Sequence, residues 1–307
     1  MHANDLIEVL CAVHLSSYVD APFHERGGLM IVGPPGVLKS TFVGVLDKQY
    51  GDALMLSDIN AQSMKDLRDQ MAAGQIRTLV LPELAKLYQR HPSTAQNVEG
   101  TLSALVAEGF SAASFEDSRV NRLKARVVVM GALTPATQGA HFREWEESGF
   151  NRRFLWSLVS LANSEALEDA VIEWKRIDFQ LQHVPRRPLS GEKIPNVTTR
   201  EERVALAAML KYQPGGSHVQ QLQLLTKTLA VLRWWYTQSG DTRSPMATIE
   251  RFAKSLGREG ALLDLGSAKK LSTKSRGKER DAVSSYAAGA LARKRWDKPK
   301  RRNRRKQ

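Results

Sequence analysis

The stretch Gly33-Pro34-Pro35-Gly36-Val37-Leu38-Lys39-Ser40-Thr41 places two glycines, a lysine and two hydroxyls directly behind the apolar run Leu29-Met30-Ile31-Val32. A strand, a glycine-proline turn and a helix starting near Lys39 would aim several backbone N–H groups and a helix N-terminus at one anion. The stretch matches GxxxxGK[ST] at its first glycine, its lysine and its hydroxyl, while Leu38 stands in the place of the last glycine. In that chemistry Lys39 reaches the β- and γ-phosphates of a nucleoside triphosphate and Ser40 binds Mg²⁺. Gly33 and Gly36 let the backbone approach closely. The plainer reading is a strand-to-helix turn that carries a lysine.

Such a loop needs a sheet to hold it, and the pattern downstream supplies one. Thr41 to Gln49 continues the helix, Ala53-Leu54-Met55-Leu56 reads as a second strand running into Ser57-Asp58-Ile59-Asn60, and Ala61 to Ala73 is helical with a stop at Gly74. Arg77-Thr78-Leu79-Val80-Leu81-Pro82-Glu83 is a third strand ending in a carboxylate. This βαβ alternation predicts a parallel sheet with helices on both faces and ligands at the carboxyl ends of its strands. Glu83 can polarise an attacking water. The position usually held by a second carboxylate is Pro82, which cannot hold a metal, so Mg²⁺ would rest on Ser40 and the phosphates, with help from Asp58, or hydrolysis would be slow. The structural alternative for Glu83 is a helix-start carboxylate favoured by the macrodipole.

Residues 84–110 read as a helical pair around His91-Pro92-Ser93, with Leu102, Leu105, Val106 and Phe110 along one face. The polar segment Ser111 to Arg126 reads as a hairpin turning near Glu116-Asp117-Ser118. It leads into the strongest strand, Val127 to Leu133, which ends at Thr134-Pro135. A hydroxyl at such a strand end can orient a lytic water, or Thr134 can simply initiate a turn before proline. Gly149-Phe150-Asn151-Arg152-Arg153-Phe154 sets two arginines before another apolar strand, Phe154 to Leu161. Their planar guanidinium groups suit a neighbouring subunit's γ-phosphate, or a surface ion pair.

In this order the motifs resemble the AAA+ ATPases. Gly33–Ser40 is similar to a Walker A loop, Leu79–Glu83 to a Walker B strand, Val127–Thr134 to a sensor strand, and Gly149–Phe154 to an arginine-finger segment. The long helix, polar hairpin, sensor strand and arginine–phenylalanine pair resemble the helicase branch that includes minichromosome-maintenance motors. The resemblance covers roughly residues 26–161. It implies an ATP- and Mg²⁺-binding, DNA-acting motor that assembles as a homo-oligomeric ring, a hexamer, with Lys39 and Ser40 on the nucleotide. Glu83 would activate water, Thr134 would sense it, and Arg153 would act in trans. Arg119, Arg122 and Lys124 would face DNA from the hairpin, and Arg200 and Arg233 stand where a second sensor could lie. The small size suggests a phage or mobile-element replication protein. The alternative is a nucleotide-dependent loader, adaptor or clamp with slow or absent hydrolysis, which Leu38 and Pro82 favour.

The chain of 307 residues is 42% apolar, enough for a substantial core. No apolar run approaches the length that crosses a bilayer, and the start lacks a basic region before an apolar one. A soluble cytoplasmic, nucleoid-associated protein without a membrane partner is expected. The single cysteine, Cys11, excludes an internal disulfide framework, and His14 and His24 read as packing or surface residues. From Lys269 to Gln307 there are 16 Lys/Arg and 3 Asp/Glu, an excess equal to the whole chain's +13, so residues 1–268 balance. Arg293, Lys294, Arg295, Arg301, Arg302, Arg304 and Arg305 belong to this tail, and Trp296 could stack on a base. Such a run binds polyanions without sequence preference by counterion release, or acts as a solubilising or localising tail.

The expected organisation is therefore a lead-in helix in 1–25, an AAA+-like core in 26–161, and a connecting segment in 162–197. A helical lid or winged-helix-like domain in 198–266 and a basic tail in 267–307 complete it. Val204, Leu206, Ala207 and Leu210, then Leu222, Leu225, Leu229, Leu232 and Trp235, form the apolar stripes of the helical part, with Trp234-Trp235 in its core.

Overall fold

The computed structural model describes residues 3–21, 26–33, 39–57, 61–107, 126–158, 184–197, 203 and 219–252. The chain divides into a unit of residues 1–259 and a second unit of 260–307, and the latter lies outside the described residues.

Short apolar runs make the framework of the first unit. Strands β2 (Gly28–Val32), β3 (Ala53–Met55), β4 (Thr78–Leu81), β5 (Val128–Leu133) and β6 (Phe154–Leu158) form one sheet in the order β3-β4-β5-β2-β6, every pair parallel. β2, β4 and β5 are buried along their whole length, as parallel strands covered on both faces must be. Side chains alternate between the two faces. Leu29, Ile31, Val128, Met130 and Ala132 point to one core, and Met30, Val32, Val129 and Leu133 to the other.

The first core is closed by α1 (Ala3–Leu15), α2 (Lys39–Gln49) and α6 (Val219–Ser239). The second is closed by α3 (Ala61–Ala72), α4 (Pro92–Val106) and α5 (Pro135–Ser148), with a 3-10 turn at Leu84–Gln89 in place of the first helix expected there. Gly28 shows how tightly β2 and β6 approach. A methyl group there would collide with the Phe154 ring and stand 2.5 Å from the Val129 carbonyl.

The lead-in helix is packed into the main domain. Leu6, Val9, Leu10, Cys11, Ala12, Val13 and Leu15 are all buried, because α1 lies between α2 and α6. Tyr236 Oη and Arg243 Nη1 both donate to the Glu8 carboxylate, at 2.8 and 2.7 Å, fastening α1 to the C-terminal part. In consequence the described part of the expected helical domain, α6 and the helix at 245–252, shares the core of the sheet. Gln221 Nε2 donates to the Phe154 carbonyl at 2.5 Å, and Trp234 is buried as expected. The end of the connecting segment is also anchored: β7 (Ile194–Pro195) pairs in parallel with β1 (Val19–Asp20), and Ile194 is buried.

A polar network crosses the first core. His14 Nδ1 lies 2.8 Å from Thr78 Oγ1, and His14 Nε2 is 3.4 Å from Asp52 Oδ1, a charge contact rather than a well-directed hydrogen bond. Thr78, His14 and Asp52 stand in the order of a hydrolytic triad, but the first two are fully buried and Asp52 is 2% exposed, so no substrate reaches them. Their work is structural, and His14 is the packing residue expected. Cys11 beside them is inert, its thiol pushed up to about 12, mainly by burial.

Burial by itself raises the Asp52 carboxyl, yet the His14 contact and the Tyr18 hydrogen bond together outweigh it and hold the group below its ordinary value of 3.8. Its stabilisation is therefore present above pH 3.8 and is lost as pH falls through the lower, folded value. Asp52→Asn should cost about 2 kcal/mol at neutral pH. Denaturant melts of both proteins should show this gap shrinking as the pH drops below 3.8.

Candidate nucleotide site

β2, β5 and β4 are consecutive in the sheet, and their carboxyl ends meet. Val32 pairs with Leu133, so Gly33 and Thr134 leave the sheet side by side, and the Gly33 N–H donates to the Leu133 carbonyl at 3.2 Å. Leu81 pairs with Gly131, which brings Pro82 and Glu83 to the same edge. Lys39 and Ser40 are the first two residues of α2. Ser40 Oγ donates to the Pro82 carbonyl at 3.0 Å, spanning β5 to tie the start of α2 to the end of β4. Four of the expected site residues, Lys39, Ser40, Glu83 and Thr134, thus gather at one edge. The fold is an α/β parallel sheet with helices on both faces.

Each side chain has a defined setting. Burial lowers the Lys39 ammonium from its ordinary range. Glu83 is half exposed and pairs with Lys86, three residues on. Thr134 caps α5: its Oγ1 accepts from the Thr137 N–H at 3.2 Å and lies 3.0 Å from Thr137 Oγ1. Thr134, which the sequence also allowed as a turn initiator before proline, is the N-cap residue of α5. Pro34 to Leu38 of the loop and Asp58 lie outside the described residues.

Pro82 is the residue whose part the sequence did not disclose. Its side chain cannot ligate a metal, but its carbonyl is the acceptor that positions Ser40. A backbone acceptor leaves no mark in residue type. Among the described residues no group of three His, Cys, Asp or Glu could hold a metal ion.

Arg153 is placed elsewhere. Phe154 pairs with Gly28 at the start of β2, whereas the loop follows Val32 at its end. Arg153 is thus about 20 Å from Gly33 along the strands, beyond the reach of an arginine side chain. Its Nη1 donates to the Gly149 carbonyl at 2.8 Å, while Arg152 is exposed. Arg233 donates to the carbonyls of Pro195 and Asn196 at 3.4 and 3.2 Å, fastening α6 to β7 instead of facing the loop. Arg200, Arg119, Arg122, Lys124 and the tail residues Arg293, Lys294, Arg295, Arg301, Arg302, Arg304 and Arg305 lie outside the described residues.

No protein-family model and no curated protein matches the chain. Among solved structures it is similar to Hsp104 in a closed-state cryo-EM reconstruction with ATPγS and FITC casein, at 15% identity and a TM-score of 0.35. The similarity covers 82% of this chain and 42% of that one, so the chain spans less than half of Hsp104. Among the described residues no helix is long and apolar enough to cross a membrane.

The opposite placement of Lys39 and Arg153 yields a complementation test. On the reading of a trans-acting ATPase, Lys39→Ala and Arg153→Ala proteins should each lose ATP hydrolysis, by about 10³-fold for the arginine, with ATP binding kept only in the latter. Mixing the two should restore part of the activity, because interfaces between an intact Lys39 and an intact Arg153 re-form. Normal turnover by Arg153→Ala alone, or no recovery on mixing, would remove the trans assignment.

Proposed function

We propose that the chain is an AAA+-type ATPase that assembles as a homo-oligomeric ring, a hexamer in the arrangement its motifs resemble, and acts on DNA. The observation that supports this reading is the convergence of Lys39, Ser40, Glu83 and Thr134 at the carboxyl ends of adjacent parallel strands, with Arg153 at the other end of the sheet. Lys39 would bind the β- and γ-phosphates and Ser40 the accompanying Mg²⁺, which supplies charge neutralisation on the phosphates. Glu83, released from Lys86, would orient and deprotonate the attacking water. Thr134 would hold that water from the neighbouring strand end, and a neighbour's Arg153 would stabilise charge on the transferred group. DNA would be contacted by Arg119, Arg122 and Lys124 and, without sequence preference, by the basic tail.

A second reading rests on Glu83 and Pro82. Glu83 is engaged by Lys86, and the adjacent position offers only a backbone carbonyl. A loader or clamp that binds ATP and turns it over slowly, or not at all, has the same architecture. Steady-state ATPase assays with and without single-stranded and duplex DNA separate the two. The motor reading expects turnover that rises on adding DNA, and tight ATP binding with no turnover under either condition would contradict it.

A further inference from the structure

The amino end of the sheet carries a feature that the nucleotide site does not use. Arg77 stands one residue before β4, and Arg126 and Arg26 stand two residues before β5 and β2. Because these strands are neighbours in register, Thr78 with Val128 and Gly28 with Val129, the three arginines come to the same edge. Beside them opens a groove of about 780 Å³, lined by Arg26, Arg77, Arg187 and Lys193 together with Asp20 and Glu192.

The carboxylates do not balance these cations. Asp20 is taken by Lys193 at 3.0 Å, and Glu192 by both guanidinium nitrogens of Arg186 at 2.8 and 2.9 Å. Arg77 lies flat over the Tyr18 ring at 4.0 Å, donates to the Ser17 carbonyl, and is 3.8 Å from Asp52. Asp52 is itself buried, also engaged by His14 and Tyr18, and shares its field with Arg187. Burial, then Arg77 and Arg126, lower the Arg26 guanidinium from its ordinary range. With Asp52 shared between Arg77 and Arg187, the cations lining the groove outnumber its carboxylates, and a phosphate with its bidentate geometry would complement them.

We propose that this groove, through Arg26, Arg77 and Arg187, binds the backbone phosphates of a nucleic-acid strand. The proposal rests on the DNA-acting reading above and adds a contact on the folded body of the protein. The lining favours phosphate over base recognition, since its one aromatic ring, Tyr18, is already covered by Arg77.

The test uses the full chain and a fluorescein-labelled oligo(dT) strand, titrated at several salt concentrations. Arg26→Gln/Arg187→Gln should weaken binding about tenfold and lower the salt slope by about 1.4, two cations' worth on a single strand, while ATP binding is unchanged. Arg187→Gln alone, on an exposed loop where misfolding is not at issue, should give part of both effects. Wild-type affinity and slope in both variants would overturn the groove while leaving DNA binding by the tail intact. No binding of oligo(dT) by the wild type would overturn the groove and the DNA reading together. Unchanged DNA affinity with loss of subunit assembly in sedimentation would assign the groove to carboxylates of a second copy, and would also overturn the proposal.

Discussion

Every residue of β2 is buried, and both of its neighbours, β5 and β6, run parallel to it. A central strand of this kind can be satisfied only if helices cover both faces and if all strands point the same way, so that every strand ends at one edge. The Ser40–Pro82 hydrogen bond depends on that edge, as does the pairing that sets Gly33 beside Thr134. Gly28 keeps β6 and β5 close enough to β2 for the arrangement to hold.

A parallel sheet also has two unlike edges. The carboxyl edge of this one gathers a lysine at a helix start, a serine, a glutamate and a threonine, groups suited to a phosphate and a water. The amino edge gathers arginines, with Arg26, Arg77 and Arg126 ahead of β2, β4 and β5 and Arg152 and Arg153 ahead of β6. The amino-edge arginines cannot reach the carboxyl edge, so under the proposed function they would face a neighbouring copy or a polyanion. The same strand polarity that builds the first edge therefore fixes what the second can contact.

The sheet was legible in the sequence because its strands are short apolar runs ending at loop residues, and all five appear within a few residues of their expected bounds. The gathering of Lys39, Ser40, Glu83 and Thr134 followed from strand order. What was not legible came from contacts between distant segments. The all-round burial of α1 requires α6, more than two hundred residues later, and Leu6 to Leu15 alone could equally cover one face. Arg233 looked available because its partners are backbone carbonyls of β7, which carry no signature in residue type. The amino-edge arginines were hidden in the same way, since each is unremarkable where it stands and they meet only through the register.

The central claim is that a triphosphate sits at the carboxyl edge of β2 and is completed by another copy of the chain. A cryo-EM map of the full chain with a slowly hydrolysed ATP analogue, Mg²⁺ and DNA tests it most directly. The account predicts triphosphate density against Lys39 and Ser40, with a neighbouring copy's Arg153 segment facing the γ-phosphate. Nucleotide density away from Lys39 and Ser40, or a site closed within a single chain, would contradict it.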